Sequence, residues 1–183
     1  MKKTQTYRWA GLVALIVTAV APTIWAALSP EVSDAYNGQE APEFSGHTVK
    51  GDSVALKDWK GHVVLVNFFA SWCPPCRSEI GQLSQLHGQY SKQGLAVIGF
   101  AVDAVETPDT VGDVAPLAKK LSIPYPVAIA TEKIGKDYHF KGIPTTVVID
   151  RDGKIAKTFY GYHDGKVIEA AVQKLLSPAE SKG

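Results

Sequence analysis

The sequence predicts an α/β fold in which a central mixed β-sheet is flanked by helices, and three observations carry that prediction. Val63 to Phe69 is an apolar run broken only by Asn67, the pattern of a strand buried on both faces. From Pro74 the apolar residues Ile80, Leu83, Leu86 and Tyr90 recur at helical spacing as far as Gly94, and Leu95 to Val102 is a second buried run. Strand, helix and strand in that order make a parallel β-α-β unit. Thr145 to Asp150 and Ile155 to Tyr160, joined across Arg151-Asp152-Gly153-Lys154, read as a hairpin that adds antiparallel strands to the same sheet.

The remaining elements follow in chain order. Glu43 to Leu56 alternates around Lys50-Gly51-Asp52 and predicts an N-terminal β-hairpin, with Asp58 to Gly61 as a turn. After Thr107-Pro108 a helix is expected to run to Leu121, kinked or interrupted at Pro116. Pro126 to Ala130 is a short strand and Lys133 to Phe140 a short helix. Asp164 or a neighbour caps a last helix carrying Val167, Ile168, Ala171, Val172 and Leu175.

Before the domain, Lys2, Lys3 and Arg8 precede an apolar stretch from Trp9 to Leu28, and no acidic residue occurs before Glu31. Residues 1–28 therefore read as an export signal. Ala19-Val20-Ala21 has the small-x-small form of a cleavage site, while the length also suits a retained membrane anchor. Either way the charge asymmetry puts the folded part at the periplasmic or extracytoplasmic face of the membrane. Residues 29–41 are expected as a tether, 42–177 as the domain and 178–183 as a flexible tail. Removing Lys2, Lys3 and Arg8 from 19 basic and 18 acidic residues leaves 16 against 18, with no basic block. Nucleic acid is not an expected partner.

The two cysteines of the chain lie in Trp72-Cys73-Pro74-Pro75-Cys76, directly after the first buried strand and at the start of the helix. The helix turns its free N–H groups and positive dipole end toward the first sulfur and favours the thiolate, the nucleophile of disulfide exchange. Pro74 and Pro75 suit a first turn whose N–H groups have no intrahelical acceptor. Cys76 lies one turn on, placed to resolve a mixed disulfide formed at Cys73. A structural disulfide here would close almost no loop and gain little from chain entropy. A zinc site would need two of the five histidines, and none has H-x3-5-H spacing. Copper held by the two thiols is harder to set aside, although the only methionine is Met1.

Taken together, Val64-Leu65-Val66-Asn67-Phe68-Phe69-Ala70-Ser71-Trp72-Cys73-Pro74-Pro75-Cys76-Arg77-Ser78-Glu79 and Gly142-Ile143-Pro144-Thr145-Thr146-Val147-Val148-Ile149-Asp150, with Asp152-Gly153-Lys154 after it, resemble the TlpA/ResA/CcmG family of exported thioredoxin-fold thiol-disulfide oxidoreductases. The resemblance covers roughly Glu40 to Leu176, and the segment between Val102 and Ile143 is longer than in plain thioredoxin. It implies a thioredoxin-like fold with an insertion before the strand that begins at a cis-proline. Pro144 is then the cis-proline that aligns a substrate strand beside the disulfide, and Ile143 offers it a backbone contact. The family's acidic residue falls on Glu79, three residues beyond Cys76, where a carboxyl group opposes thiolate formation and can carry protons; on spacing alone a solvated helix glutamate fits as well. Plain thioredoxin has a buried aspartate where this chain has Asn67, which cannot titrate. Trp72 is expected to shield the sulfurs or to pack in the core, and His139 and His163 to be solvated loop residues.

By resemblance the catalytic residues are Cys73, Cys76 and Glu79, the substrate-facing ones Trp72, Ile143 and Pro144, and no cofactor or metal is implied. The implied substrates are protein disulfides, in an apo-cytochrome c or a copper-site protein. A membrane thiol carrier would donate electrons, and the protein is expected to be a monomer. Sco-type copper chaperones carry C-x-x-x-C and a partner histidine, unlike this chain, and a general oxidant or isomerase is the other alternative. The P-x-x-x-T-x-x-C motif of peroxiredoxins is absent.

Overall fold

The computed structural model describes residues 31–177. The export segment and the tail therefore lie outside the described residues. Among the described residues no helix is long and apolar enough to cross a membrane.

At the centre stand β4 (Val63–Phe69) and β5 (Leu95–Ala101), parallel and buried at every residue. Both faces of these strands are covered, so neither shows the polar alternation of a half-exposed strand. The intervening α1 (Pro74–Tyr90) buries Ile80, Leu83, Leu86 and Tyr90, the expected apolar stripe, and the chain reverses at Gly94 with φ 97°. That left-handed conformation is easy only for glycine. The hairpin β7 (Thr145–Ile149) and β8 (Ile155–Tyr160) pairs antiparallel with β4 through β7. With β1 (Glu31–Ser33) on one edge and β6 (Val127–Ile129) on the other, the six-stranded order is β1-β8-β7-β4-β5-β6.

The expected N-terminal hairpin is present as β2 (Ser45–His47) and β3 (Ser53–Ala55). It docks on the open edge through the backbone bond from Val49 N–H to Val127 O, 2.8 Å. Phe44 meets Phe100 edge-on with centroids 5.0 Å apart, and Phe68 lies between Phe100, Tyr138 and Phe140. This aromatic cluster packs the hairpin and the segment before β7 to the same face of the sheet, adding geometry-dependent attraction to the buried area.

Two expectations need correction. The helix expected from Thr107–Pro108 to Leu121 is a 3-10 turn (Pro108–Asp113) followed by a separate helix, preceded by the short α2 (Asp103–Glu106). The separate helix α3 (Val114–Lys120) has Pro116 as its third residue. N–H groups in a first turn have no intrahelical acceptor, so Pro116 sits there without breaking anything. The short α4 (Glu132–Asp137) and the final α5 (Gly165–Leu176), capped by Asp164 accepting from Lys166 N–H, lie close to where the sequence put them.

The second correction concerns the tether. From Glu31 onward it belongs to the sheet: β1 pairs with β8, and Gly38 N–H and Ala41 N–H donate to Ile155 O and Gly153 O. Ala41 is buried, and Tyr36 stacks on His139 at 3.8 Å. Polar, glycine-containing composition reads as linker, but these backbone groups find partners on an otherwise open strand edge. Shortening the chain to begin at Pro42 rather than Glu31 should lower the melting temperature by roughly 5–10 °C. The figure takes a few lost bonds at about 1 kcal/mol each and roughly 2–4 °C per kcal/mol for a domain of this size. Equal melting temperatures in calorimetry would return residues 31–41 to the role of a tether.

Candidate active site

The parallel strands β4 and β5 both end at the edge of the sheet where α1 begins. Cys73 is the N-cap of α1, with φ −86° and ψ 109°, and its Sγ accepts from Cys76 N–H at 3.3 Å. Pro74 and Pro75 occupy the first two helical positions. Cys73 and Cys76 are joined as a disulfide with Cα atoms 5.3 Å apart. Both cysteines are buried, Cys73 at 3% exposure and Cys76 at 0%. The order still matters, because only the first sulfur offers an approach.

The Ile143–Pro144 peptide bond is cis. Pro144 is buried and Ile143 half-buried. Because Thr145 pairs with Phe68 and Thr146 with Asn67, extending the register by one residue brings Pro144 opposite Phe69, at the strand end that leads into the cysteine loop. Gly161 N–H donates to Pro144 O at 2.8 Å and ties the start of the next loop to this proline. Trp72 is neither a core residue nor fully solvated. It is 45% exposed, and its indole Nε1–H donates to Thr107 Oγ1 at 2.6 Å.

Behind the disulfide helix lies Glu79, 1% exposed. The spacing alone left a solvated glutamate open; burial removes that reading. Asn67 and Thr146, direct partners across β4 and β7, both donate to Glu79 Oε1, from Nδ2 at 2.9 Å and from Oγ1 at 2.6 Å. Asn67 Nδ2 also donates to Thr146 Oγ1 at 2.9 Å, which fixes the direction of the threonine hydroxyl. Among the described residues the other carboxyl oxygen, Oε2, receives only the backbone N–H of His163, at 3.5 Å. Burial pushes the carboxyl up from its ordinary 4.5 to about 7, against the pull of the Thr146 and His163 hydrogen bonds. A proton bound near neutrality belongs on Oε2, since Oε1 already accepts twice.

His163, expected as a solvated loop residue, thus abuts the buried carboxyl through its backbone. Its ring packs edge-on against Phe159, and Nε2 lies 3.1 Å from Tyr160 O, an arrangement in which Nε2 carries the proton. His139 is exposed as expected, stacked on Tyr36. The sequence reading missed Asp103, Ser71 and Arg77. Asp103 is fully buried and accepts from Ser71 N–H and Oγ–H and from Thr110 Oγ–H, while Arg77 donates twice to Ser71 O. Ser71 is thereby held from both sides of the cysteine loop. An acidic residue directly after a buried strand was the only available signal, and it is a weak one. Among the described residues no group of three or more His, Cys, Asp or Glu side chains could hold a metal ion.

A disulfide capping a helix at the end of a central strand, a cis-proline strand beside it and a buried carboxyl behind it define a thioredoxin-fold dithiol oxidoreductase. The AhpC/TSA family model matches residues 37–158, and the chain belongs to that family, among its thiol-disulfide oxidoreductases. It is 31% identical to a thiol-disulfide oxidoreductase ResA of Bacillus cereus, over 96% of this chain and 99% of that protein. ResA of Bacillus subtilis is 27% identical over 100% of this chain and 99% of its own. The crystal structure of a thiol:disulfide interchange protein of the thioredoxin family from Chlorobium tepidum superposes with a TM-score of 0.69. That pair shares 34% identity, over 79% of this chain and 100% of the other.

The elevated Glu79 carboxyl sets a pH dependence with an unusual sign. Between the unfolded value of 4.5 and the folded value of about 7, the folded state holds the proton that the unfolded state has released. Stability therefore falls as pH rises through this window, by about 3 kcal/mol or roughly 10 °C in melting temperature. Glu79→Gln keeps an acceptor for Asn67 and Thr146 but cannot ionise, so its melting temperature should lack that decline. Parallel pH profiles of the two proteins in thermal melts would count against a titrating Glu79.

Proposed function

We propose that this protein is an extracytoplasmic thiol-disulfide oxidoreductase that reduces disulfides in protein substrates, such as that of an apo-cytochrome c before haem attachment. A copper-site protein awaiting metallation is the other substrate of the same chemistry, and a membrane thiol carrier would restore the dithiol. The observation that carries the reading is the fully buried Glu79 carboxyl, placed on the disulfide helix and poised near neutrality. A group that takes and returns protons at neutral pH suits exchange in which thiols must become thiolates and leaving thiolates must be protonated. The apolar, acid-free stretch at residues 9–28, behind Lys2, Lys3 and Arg8, supports export, and the disulfide suits the oxidising compartment it would enter.

In the reducing direction the Cys73 thiolate attacks one sulfur of the substrate disulfide, forming a mixed disulfide and releasing a substrate thiolate. Glu79 accepts the proton of the Cys76 thiol. The Cys76 thiolate attacks Cys73 Sγ, closing the protein disulfide and releasing the second substrate thiolate. Two electrons pass from protein to substrate. Cys73 enters as the thiolate, its proton already lost to solvent, and the one thiol proton, that of Cys76, passes by way of Glu79 to a released substrate thiolate, the other taking its proton from solvent. Ile143 and Pro144 align the substrate backbone beside Cys73, and Trp72 faces the substrate from the other side of the loop.

Cys76→Ser should trap a mixed disulfide through Cys73 with an oxidised Cys-x-x-Cys-His peptide, read by mass spectrometry. Alkylation of the reduced wild type falling first on Cys76 would reverse the assignment. The direction is tested by the equilibrium of the Cys73–Cys76 pair with glutathione: a potential near about −120 mV, that of a strong oxidant, would overturn the reductant reading. Removing the proton carrier should also slow exchange with the peptide. Glu79→Gln is expected to lose on the order of 100-fold in rate at neutral pH with its fold intact. Stopped-flow rates equal to wild type would take Glu79 out of the mechanism.

A further inference from the structure

The half-exposed Trp72 indole is held by a directed chain of hydrogen bonds that runs away from the disulfide and into the insertion. Trp72 Nε1–H, a donor only, bonds Thr107 Oγ1 at 2.6 Å. Thr107 Oγ1 and Thr110 Oγ1 are 2.8 Å apart, and Thr110 Oγ1 is 2.8 Å from Asp103 Oδ1. With the Thr110 hydroxyl given to the Asp103 carboxyl oxygen rather than to Thr107 O, which also lies 2.8 Å from it, the protons run from Trp72 to Thr107, from Thr107 to Thr110 and from Thr110 to Asp103. The same Asp103, fully buried, grips Ser71, the neighbour of Trp72 on the cysteine loop. Two adjacent loop residues are thus anchored to one carboxylate, one directly and one through two hydroxyls.

An exposed tryptophan needs no such chain in order to stay in solution or to keep the fold. Its indole N–H could bond water. The 2.6 Å bond to a side chain from the junction of α2 and the 3-10 turn instead fixes the ring of the residue next to Cys73, which stays 45% exposed to a partner.

We propose that Thr107 is a positioning residue for protein substrates, holding Trp72 in the orientation that receives the segment next to the attacked disulfide, so that the insertion sets substrate affinity. The inference rests on disulfide exchange with protein substrates, not on its direction. A ring already fixed loses no rotamer freedom on binding, and freeing it returns that cost to the encounter, a loss of roughly three- to tenfold in affinity. The dithiol and Glu79 are untouched, so the chemical step keeps its rate.

Exchange with a Cys-x-x-Cys-His peptide, followed from both sides as reduced protein with oxidised peptide and as oxidised protein with reduced peptide, tests this without presupposing which way electrons flow. Thr107→Val keeps the shape and loses the acceptor. Its apparent KM should rise roughly three- to tenfold with kcat within about twofold, and Thr107→Ser should restore both. Trp72→Ala should show a KM increase of the same kind, and Thr107→Val added to it should bring nothing further. The Trp72 indole N–H, protected in the wild type, should exchange faster with solvent in Thr107→Val than in Thr107→Ser. An unchanged KM in Thr107→Val, a serine variant no better than valine, or additivity with Trp72→Ala would overturn the proposal. A potential in the oxidant range would overturn the reductant function and leave this inference standing.

Discussion

The interaction on which the site depends is the acceptance, by one oxygen of a buried carboxyl, of two donors from neighbouring central strands. Asn67 on β4 and Thr146 on β7 are register partners, and both donate to Glu79 Oε1 from beneath α1. Their meeting point is where the disulfide helix rests on the sheet. Moving either strand by one residue would turn these side chains to the opposite face, so the same alternation that builds the core specifies the site. The loop after β8 closes the arrangement, since it touches Oε2 through His163 and Pro144 through Gly161.

Such a centre costs stability, and the cost has a visible address. Asn67 Oδ1 is buried with no hydrogen-bond partner among the described residues, while its amide group serves two acceptors. Apolar residues at Asn67, Thr146 and Glu79 together would leave no buried side-chain polar atom here unsatisfied. Burial raises the carboxyl to about 7 because so little of its charge is compensated, and that incomplete compensation leaves it able to exchange a proton at neutral pH. A fully satisfied carboxylate there would be more stable and chemically inert.

How much of this was legible in the sequence follows from the range of the interactions. Periodicity gave both buried strands, α1 and the β7–β8 hairpin, because the signal for each lies within about a dozen residues. The cysteine pair and its helix were readable for the same reason. Resemblance added the thioredoxin-like fold, supplied Pro144 as a cis-proline and raised Glu79 above a solvated glutamate, which its spacing could not do. His163 was misjudged since its contact is made by the backbone, which carries no residue-type signal, 84 positions from its partner. Asp103 and Ser71 were missed because their 32-residue separation leaves no local pattern. Residues 31–41 looked like linker by composition, which cannot report that a strand edge elsewhere lacks a partner.

The two buried carboxylates of the site divide its work by how their oxygens are used. Asp103 commits both: Oδ1 takes the Ser71 and Thr110 hydroxyls, and both oxygens share the Ser71 N–H. Both oxygens are taken up in bonds that hold the cysteine loop, so its arrangement suits anchoring. Glu79 commits one oxygen and leaves Oε2 with a single bond at 3.5 Å. Adding or removing a proton there disturbs almost nothing in the sheet. The loop in front of the disulfide can therefore stay fixed while the carboxyl behind it changes charge. In the function proposed above, that separation lets one small domain present a rigid surface to a substrate and still move a proton with each exchange.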